Sequence, residues 1–448
     1  MNFVFENTSR FSLFDYSEYK NFLNCEDVNS SGIKRFTVSP LISTLLRYKQ
    51  VNQTFKNYSL DNIQISNDAN KFSKYIIATG VTHSPNDWCG NHRKSIFHYL
   101  NQTYLRDVRK GKALILLDQS HEGYHEEWMY DELHKQCNEY GINPNQLIYV
   151  TGNLEEENQY KKWLLGKNVV GVMCIAPYSH FECMIHETAI NRVRIHGQPS
   201  LPTFNDHLVY KTNNITNIKT YNCLQKRPRA HRIWMFKELV ANNLLEFGIN
   251  SMNDIDYQHT YYENRMMEVD DFTRMKQYLP MLPPSNKSDE DELTLFSSQD
   301  SGSYPEIFNE QILLDTWVSV VSEASFGEDT CFISEKTFKP IAAAHPIIAL
   351  GNKYTMRNLQ DLGYKTFHPY IDETYDSLDT WERLDAIIKE IKRINSMSQV
   401  EKLKWFSSMQ DILIYNVDVL RKNSIDLVPK AVTDIDTYFK NYNVPKTD

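Results

Sequence analysis

No stretch of about 18 consecutive apolar residues occurs in this sequence, so no helix is expected to span a membrane. The opening residues, MNFVFENTSRFSLFDYSEYK, lack a basic segment followed by an apolar one, and no secretory signal is expected there. No Cys-x-x-Cys pair is present. The seven cysteines are odd in number and scattered, which fits a reducing compartment better than a disulfide framework. These absences lead to an expected cytoplasmic location. Excess positive charge is missing too: a formal net charge of -9 argues against a general nucleic-acid surface and leaves room only for a local basic patch. Glycine is scarce, at 15 of 448 residues, while Asn, Lys, Ile and Tyr are abundant. That composition fits an AT-rich genome such as a phage's, in which case the expected location is the host cytoplasm.

What is present is a globular composition, 41% hydrophobic and 23% charged, in a chain long enough for two or three domains. Residues 1–70 show weak periodicity and read as a cap or extension. A regular α/β pattern begins at Tyr75. Tyr75–Thr79, Ala113–Asp118, Leu147–Thr151 and Val169–Cys174 are short apolar runs that read as strands buried on both faces. Enough chain separates them for helices, notably Glu126–Tyr140, and a Rossmann-like domain is predicted over residues 71–216. Ligands of such sheets sit beyond the strand C-termini, which points to Gly80–Asn91, Asp118–His125 and Gly152–Asn153.

The Asp118–His125 loop contains His121-Glu122-x-x-His125, the spacing of a zincin. It directly follows a strand and carries Gly123, so a continuous helix with both imidazoles on one face is not expected, and no metal is assigned. Asp118, His121 and Glu122 are instead candidates for a general base, because carboxylate and imidazole groups at a strand end suit proton transfer. A solvated turn is the alternative.

A second α/β domain is predicted over residues 217–448. Thr220–Leu224 reads as a strand and Ile233–Phe247 as an amphipathic helix. Between them Arg227, Arg229, His231 and Arg232 crowd one loop, where guanidinium forks beside a helix N-terminus suit a diphosphate. Residues 250–305 form an acidic, turn-rich insertion. Asp254-x-Asp256, Asp289-x-Asp291 and Asp434-x-Asp436 follow no convincing buried strand and read as surface acids. Trp317–Val321 and Ile347–Leu350 are further strands, and Ser334 caps a short helix running from Glu335 to about Ala344. Lys336 in its first turn opposes the helix dipole by about 0.3 to 1 kcal/mol, so a nearby anion such as phosphate would account for it. Pro340 predicts a kink or interruption. Lys365–Phe367 reads as another short strand. Leu384, Ile387, Ile388 and Ile391 recur at helical spacing, and Val400–Lys422 reads as one long helix.

With these residues placed, SEKTFKPIAAAHPIIALG is similar to the T-E-K segment of the α1,3-fucosyltransferase family, and residues Tyr221–Asp376 resemble glycosyltransferases of the GT-B fold. The segment also looks like that of glycosyltransferase-like proteins of phages. The resemblance implies two Rossmann-like domains facing across a cleft, and an enzyme that moves a sugar from a nucleotide-sugar donor to an acceptor hydroxyl. It implies that Glu335 accepts the ribose hydroxyls and Lys336 approaches the phosphates. Arg227 and Arg229, with Arg232, match the family's basic loop, and Glu323 in VSEAS matches the acid of its F-E-N-S segment, which faces the sugar. The chain departs from the family in SEAS, in Ser334 where the family has Thr, and in Lys339-Pro340 inside the helix. A fold of this kind can stabilise the leaving diphosphate without a metal, and none is expected. The acceptor is left open among glycan, protein and a hydroxymethylated pyrimidine in DNA. The other reading is an inactive module of the same fold with a structural or virion-associated role.

Overall fold

The computed structural model describes residues 1–4, 36–37, 39, 41–42, 64–66, 69–81, 97, 100, 102–123, 125–194, 200–225, 228–262, 265–281, 309–326 and 330–442. The chain forms two compact units. One comprises Met1–His180, Thr330–Phe332 and Ile425–Asp448, and the other Phe181–Asp329 and Ile333–Ser424.

The first unit is built on β1 (Asn2–Val4), β2 (Phe36–Thr37), β3 (Gln64–Ser66), β4 (Tyr75–Val81), β5 (Ala113–Gln119), β6 (Leu147–Thr151) and β7 (Cys174–Pro177). Their order is β3-β1-β4-β5-β6-β7, all parallel, with β2 antiparallel against the end of β4. Helices α1 (Gln102–Arg109), α2 (Glu127–Glu139) and α3 (Glu156–Leu164) alternate with the later strands. Every residue of β5 and β6 is buried, as their unbroken apolar runs require of strands covered on both faces. Tyr75, Ile115, Leu117 and Tyr149 pack there with Tyr130, Leu133 and Trp163 of the helices.

Two sequence expectations change in this unit. β1 and β3 come from residues assigned to a cap, yet they are strands of the sheet, β3 at its edge and β1 between β3 and β4; three-residue strands are too short to show a period. The strand expected over Val169–Cys174 begins only at Cys174. Val170 is 76% exposed, and Gly171 turns the chain with φ +85°, so close to Asn143 that a Cβ would lie 2.3 Å from its Oδ1.

The second unit opens with α4 (His180–Arg194), whose first residue belongs to the first unit, and α5 (Phe204–Asn213). It continues through β8 (Lys219–Gln225), α6 (Ala230–Ala241), β9 (Gly248–Met252), α7 (Val269–Lys276), α8 (Glu310–Leu314), β10 (Thr316–Ser322), α9 (Glu335–Ala342), β11 (Ile347–Leu350), α10 (Thr355–Asp361), α11 (Thr380–Ser396) and α12 (Gln399–Ser408). The sheet order is β11-β10-β8-β9, all parallel. Trp317, Val318, Ile347 and Ile348 pack against Leu384, Ile387 and Ile391, so the helical spacing expected around Ile387 is the buried face of α11.

The helix expected to end at Phe247 stops at Ala241, and Asn243, with φ 52°, turns the chain away. Lys365–Phe367 forms no strand. The Asn416 side chain accepts from Lys365 N–H at 2.9 Å and donates to its carbonyl at 2.8 Å, and Phe367 N–H goes to Glu373 Oε1 at 2.7 Å. Side chains thus satisfy the backbone that a neighbouring strand would have paired. The single helix expected over Val400–Lys422 is divided at Met409 between α12 and α13 (Gln410–Asn441).

Helix α13 belongs to the first unit from Ile425 onward. There Lys74 Nζ donates to the carbonyls of Phe439 and Tyr442 at 2.9 and 3.0 Å, and the Tyr438 hydroxyl donates to Asn145 O at 2.7 Å. Thr330–Phe332 is tied in as well. Leu154 N–H donates to Cys331 O and Cys331 N–H donates to Asn153 Oδ1, both at 2.9 Å. Phe332 lies against Gly123 and Gly152. No helix among the described residues is long and apolar enough to cross a membrane.

Candidate functional site

In the second sheet the strand order reverses between β8 and β10, because the connection from β8 leads to β9 on one side and the next returns to β10 on the other. Parallel sheets open at such a point beyond the strand ends, and here the ends are Gln225 and Ser322. Gln225 Nε2 donates to Ser322 Oγ at 2.6 Å, joining the two strands at that edge.

Beyond Ser322, Glu323 is 1% exposed, and its carboxyl group acts as an internal hydrogen-bond acceptor. It accepts from the hydroxyls of Ser334 at 2.5 Å and Thr337 at 2.6 Å, and from the N–H groups of Ser334 and Ala324, each at 3.2 Å. Ser334 in turn caps α9 by accepting from Lys336 N–H at 3.3 Å. A carboxylate at a helix N-terminus is favourable, and this one joins the end of β10 to the start of α9. Helix α9 runs through Pro340 but ends two residues later, and Ala344, at φ 49°, begins the turn into β11.

Glu335 and Lys336 occupy the first turn. Lys336 Nζ lies 2.6 Å from Glu335 Oε1, with their side chains 32% and 13% exposed. Burial pushes the Glu335 carboxyl up, but Lys336 and Lys339 outweigh it and bring the value down to about 2. An ionised, partly accessible carboxylate therefore stands beside two cations at a helix N-terminus.

The basic loop serves the same strand end from the other side. His231 Nε2 and Arg232 Nη2 both donate to Glu323 O, at 3.1 and 2.9 Å; Arg232 also reaches Ser322 O at 3.2 Å, and Arg229 Nη1 donates to Ala324 O. Burial and the neighbouring Arg232 hold His231 at about 3, so the ring is neutral, and burial lowers Arg232 to about 10. Read from sequence as a cradle for an anion, Arg229 and Arg232 are engaged in carrying the backbone of residues 322–324. No sequence signal distinguishes a guanidinium that meets carbonyls from one that meets phosphate. Arg227 lies outside the described residues, as do Asp289-x-Asp291 and residues 82–91.

In the first unit Asp118 is buried, with both oxygens occupied. Ser39 Oγ and Leu41 N–H donate to Oδ2 at 2.5 and 2.8 Å, and Ser120 N–H to Oδ1 at 2.9 Å. Burial pushes its carboxyl above the usual range. His121 and Glu122 are partly exposed in the turn that follows, where Glu122 O accepts from Gly152 N–H at 3.1 Å. Since α2 starts only at Glu127, His121 and His125 do not share a helix face, and the zincin register is not formed.

No family model matches this chain, and no curated protein matches it. Among solved structures it is similar to α,α-trehalose 6-phosphate synthase from Burkholderia multivorans, at 10% identity over 91% of this chain and 77% of that one, with a TM-score of 0.36. It is also similar to the N-terminal domain of trehalose-6-phosphate phosphatase from Candida albicans, at 9% identity over 81% and 70% of the respective chains, with a TM-score of 0.39. At these scores the likenesses supply neither a site nor an activity. The strand order itself defines the class: a mixed α/β chain with two sheets that are parallel but for β2.

Proposed function

We propose that the protein is a glycosyltransferase of the GT-B type that binds a nucleotide-sugar donor in its second unit and passes the sugar to an acceptor hydroxyl. The observation that carries this reading is the first turn of α9, where the ionised Glu335 carboxylate and the Lys336 ammonium stand together at a helix N-terminus beside the reversal point of the sheet. Glu335 is suited to a ribose diol, which presents two donors to one carboxylate. Lys336, Lys339 and the helix N-terminus are suited to the diphosphate, whose charge grows as the sugar departs. Arg227 is assigned to the same diphosphate. Glu323, Ser334, Arg229 and Arg232 are assigned to shaping the loop that carries them.

The test is thermal stabilisation of the full chain by UDP, GDP, CMP and ADP and their sugars. A ligand at about 100 times its Kd adds roughly 2.7 kcal/mol, which reads as a clear rise in Tm. The expected result is a rise with one nucleotide that is lost in Glu335→Ala and reduced in Lys336→Ala. A rise with no nucleotide overturns the reading. It would favour an inactive module of this fold, for which the engagement of Arg229 and Arg232 by backbone carbonyls already speaks.

A further inference from the structure

The stretch that sequence reading set aside as an acidic insertion contains α7, a helix of the second unit with two unlike faces. On one side Phe272 and Met275 pack with Ile233, Phe236 and Val240 of α6. On the other, Val269, Asp270, Thr273 and Arg274 recur at helical spacing and are all exposed. Val269 is 60% exposed, and Met266 and Tyr278, which flank the helix, are 44% and 45% exposed. Thr260 Oγ1 holds Met266 by donating to its Sδ at 3.1 Å. Single exposed apolar residues are ordinary on a protein surface, but three along one short element make a strip whose burial is favourable.

The charges of α7 divide by the side on which they lie. Asp271 and Lys276 are met within the unit: Lys237 Nζ lies 3.3 Å from Asp271 Oδ2, and Lys276 Nζ reaches Asp254 Oδ1 and, at 2.7 Å, Ile255 O. On the outer side, Asp270 and Arg274 form no ion pair among the described residues. Arg274 makes one long hydrogen bond, to Asn243 Oδ1 at 3.3 Å. An acid in the first turn and a base in the last suit the helix dipole, so this polarity alone implies no partner. The dipole does not account for the apolar residues exposed along the same face.

We propose that the outer face of α7 docks a second copy of this chain, the two helices running antiparallel across a two-fold axis near Phe272. Asp270 and Arg274 lie equally far from Phe272 along the chain, and so do Met266 and Tyr278. Antiparallel pairing therefore sets Asp270 against Arg274 of the second copy, and Met266 against Tyr278 of the second copy, each contact occurring twice. A surface complementary to itself in this way meets the requirement of an isologous contact, and a different partner would need no such symmetry. Parallel pairing would instead bring like charges together. One short helix per copy offers less than the roughly 800 Å² that each partner gives to a standard interface, so the dimer is weak and forms only as concentration rises. The inference is independent of the sugar-transfer reading, because no residue assigned to the donor lies on α7.

Sedimentation velocity of the full chain over a concentration series tests the proposal. The native chain is expected to pass from monomer to dimer, and Val269→Ser to do so at higher concentration. Asp270→Arg and Arg274→Asp are each expected to raise the dimer's dissociation constant about 10-fold or more, because like charges then face each other twice. The double variant, Asp270→Arg with Arg274→Asp, restores the complementarity in reverse and is expected to return to within about 3-fold of the native value. The positions are exposed, so every variant is expected to keep its Tm at a dilution where the native chain is monomeric; should one reversal lower it, the other supplies the same reading. A native chain that stays monomeric at every concentration overturns the proposal. So does a dimer indifferent to both single reversals, or a double variant with native Tm that associates no better than the single ones.

Discussion

The Ser334 hydroxyl donates to Glu323 Oε2 at 2.5 Å, so the residue that caps α9 is itself held by the acid that follows β10. The position of Glu335 and Lys336 depends on that bond, since both sit in the turn that Ser334 begins. Replacing Glu323 by Ala strands the hydroxyls of Ser334 and Thr337, and a buried group left without its partner costs about 1 to 3 kcal/mol. Urea unfolding should show Glu323→Ala to be destabilised by about 3 kcal/mol, and Ser334→Ala by about 1 kcal/mol. The double variant should fall short of their sum because the two residues share one interaction. Strict additivity would show that the bond does not organise the turn.

Gly123 and Gly152 separate two kinds of crowding at the end of the first sheet. A Cβ on Gly123 would lie 2.1 to 2.5 Å from Phe332 side-chain atoms, whereas one on Gly152 would lie 2.5 and 2.7 Å from the carbonyl oxygens of Ser120 and Glu122. Overpacking of this sort costs about 1 to 3 kcal/mol. Both Gly→Ala changes should therefore lower stability in chemical denaturation. Adding Phe332→Ala should recover part of the Gly123→Ala loss and little of the Gly152→Ala loss, because backbone cannot be trimmed away.

Acid should weaken the fold through its buried histidines. Burial, aided by Lys211, holds His207 at about 3; burial and Arg232 hold His231 at about 3; burial and Arg421 hold His186 at about 4. These folded-state values are depressed, so the unfolded chain binds protons below about pH 6.5 while the folded chain does not. Stability then falls as the pH drops from about 6.5 towards 3 to 4, by roughly 1 kcal/mol per pH unit for each histidine. Urea midpoints from pH 7.5 to 4.5 should decline, with proton uptake on unfolding near pH 5. A flat profile would mean that these rings are protonated in the folded chain.

The long strands were legible because their apolar runs are uninterrupted: Leu147–Thr151 and Ile347–Leu350 stand where sequence reading put them. Strands of three residues, such as β1 and β3, carry no period to read. Where side chains supply the backbone's partners, as Asn416 does at Lys365, an extended run need not become a strand. At the sites, residue types were visible and their engagements were not. Asp118 has the chemistry of a base, yet both of its oxygens are taken, one by Ser120 and the other by Ser39 and Leu41, which a linear reading cannot bring near it. His125 Nδ1 and Glu156 Oε2 lie 3.7 Å apart, and each residue stands at a strand-to-helix junction, the shared position that could have paired them in the sequence.

The return of α13 and of Thr330–Phe332 to the first unit means that neither unit is encoded by one continuous stretch of gene. An expression fragment ending after residue 180 would lack the backbone clip at Cys331 and the carbonyls that hold Lys74. A stop codon ahead of Ile425 is accordingly a lesion of the unit whose sheet the opening part of the gene encodes. In a screen for truncations, its phenotype should group with mutations in β4 and β5.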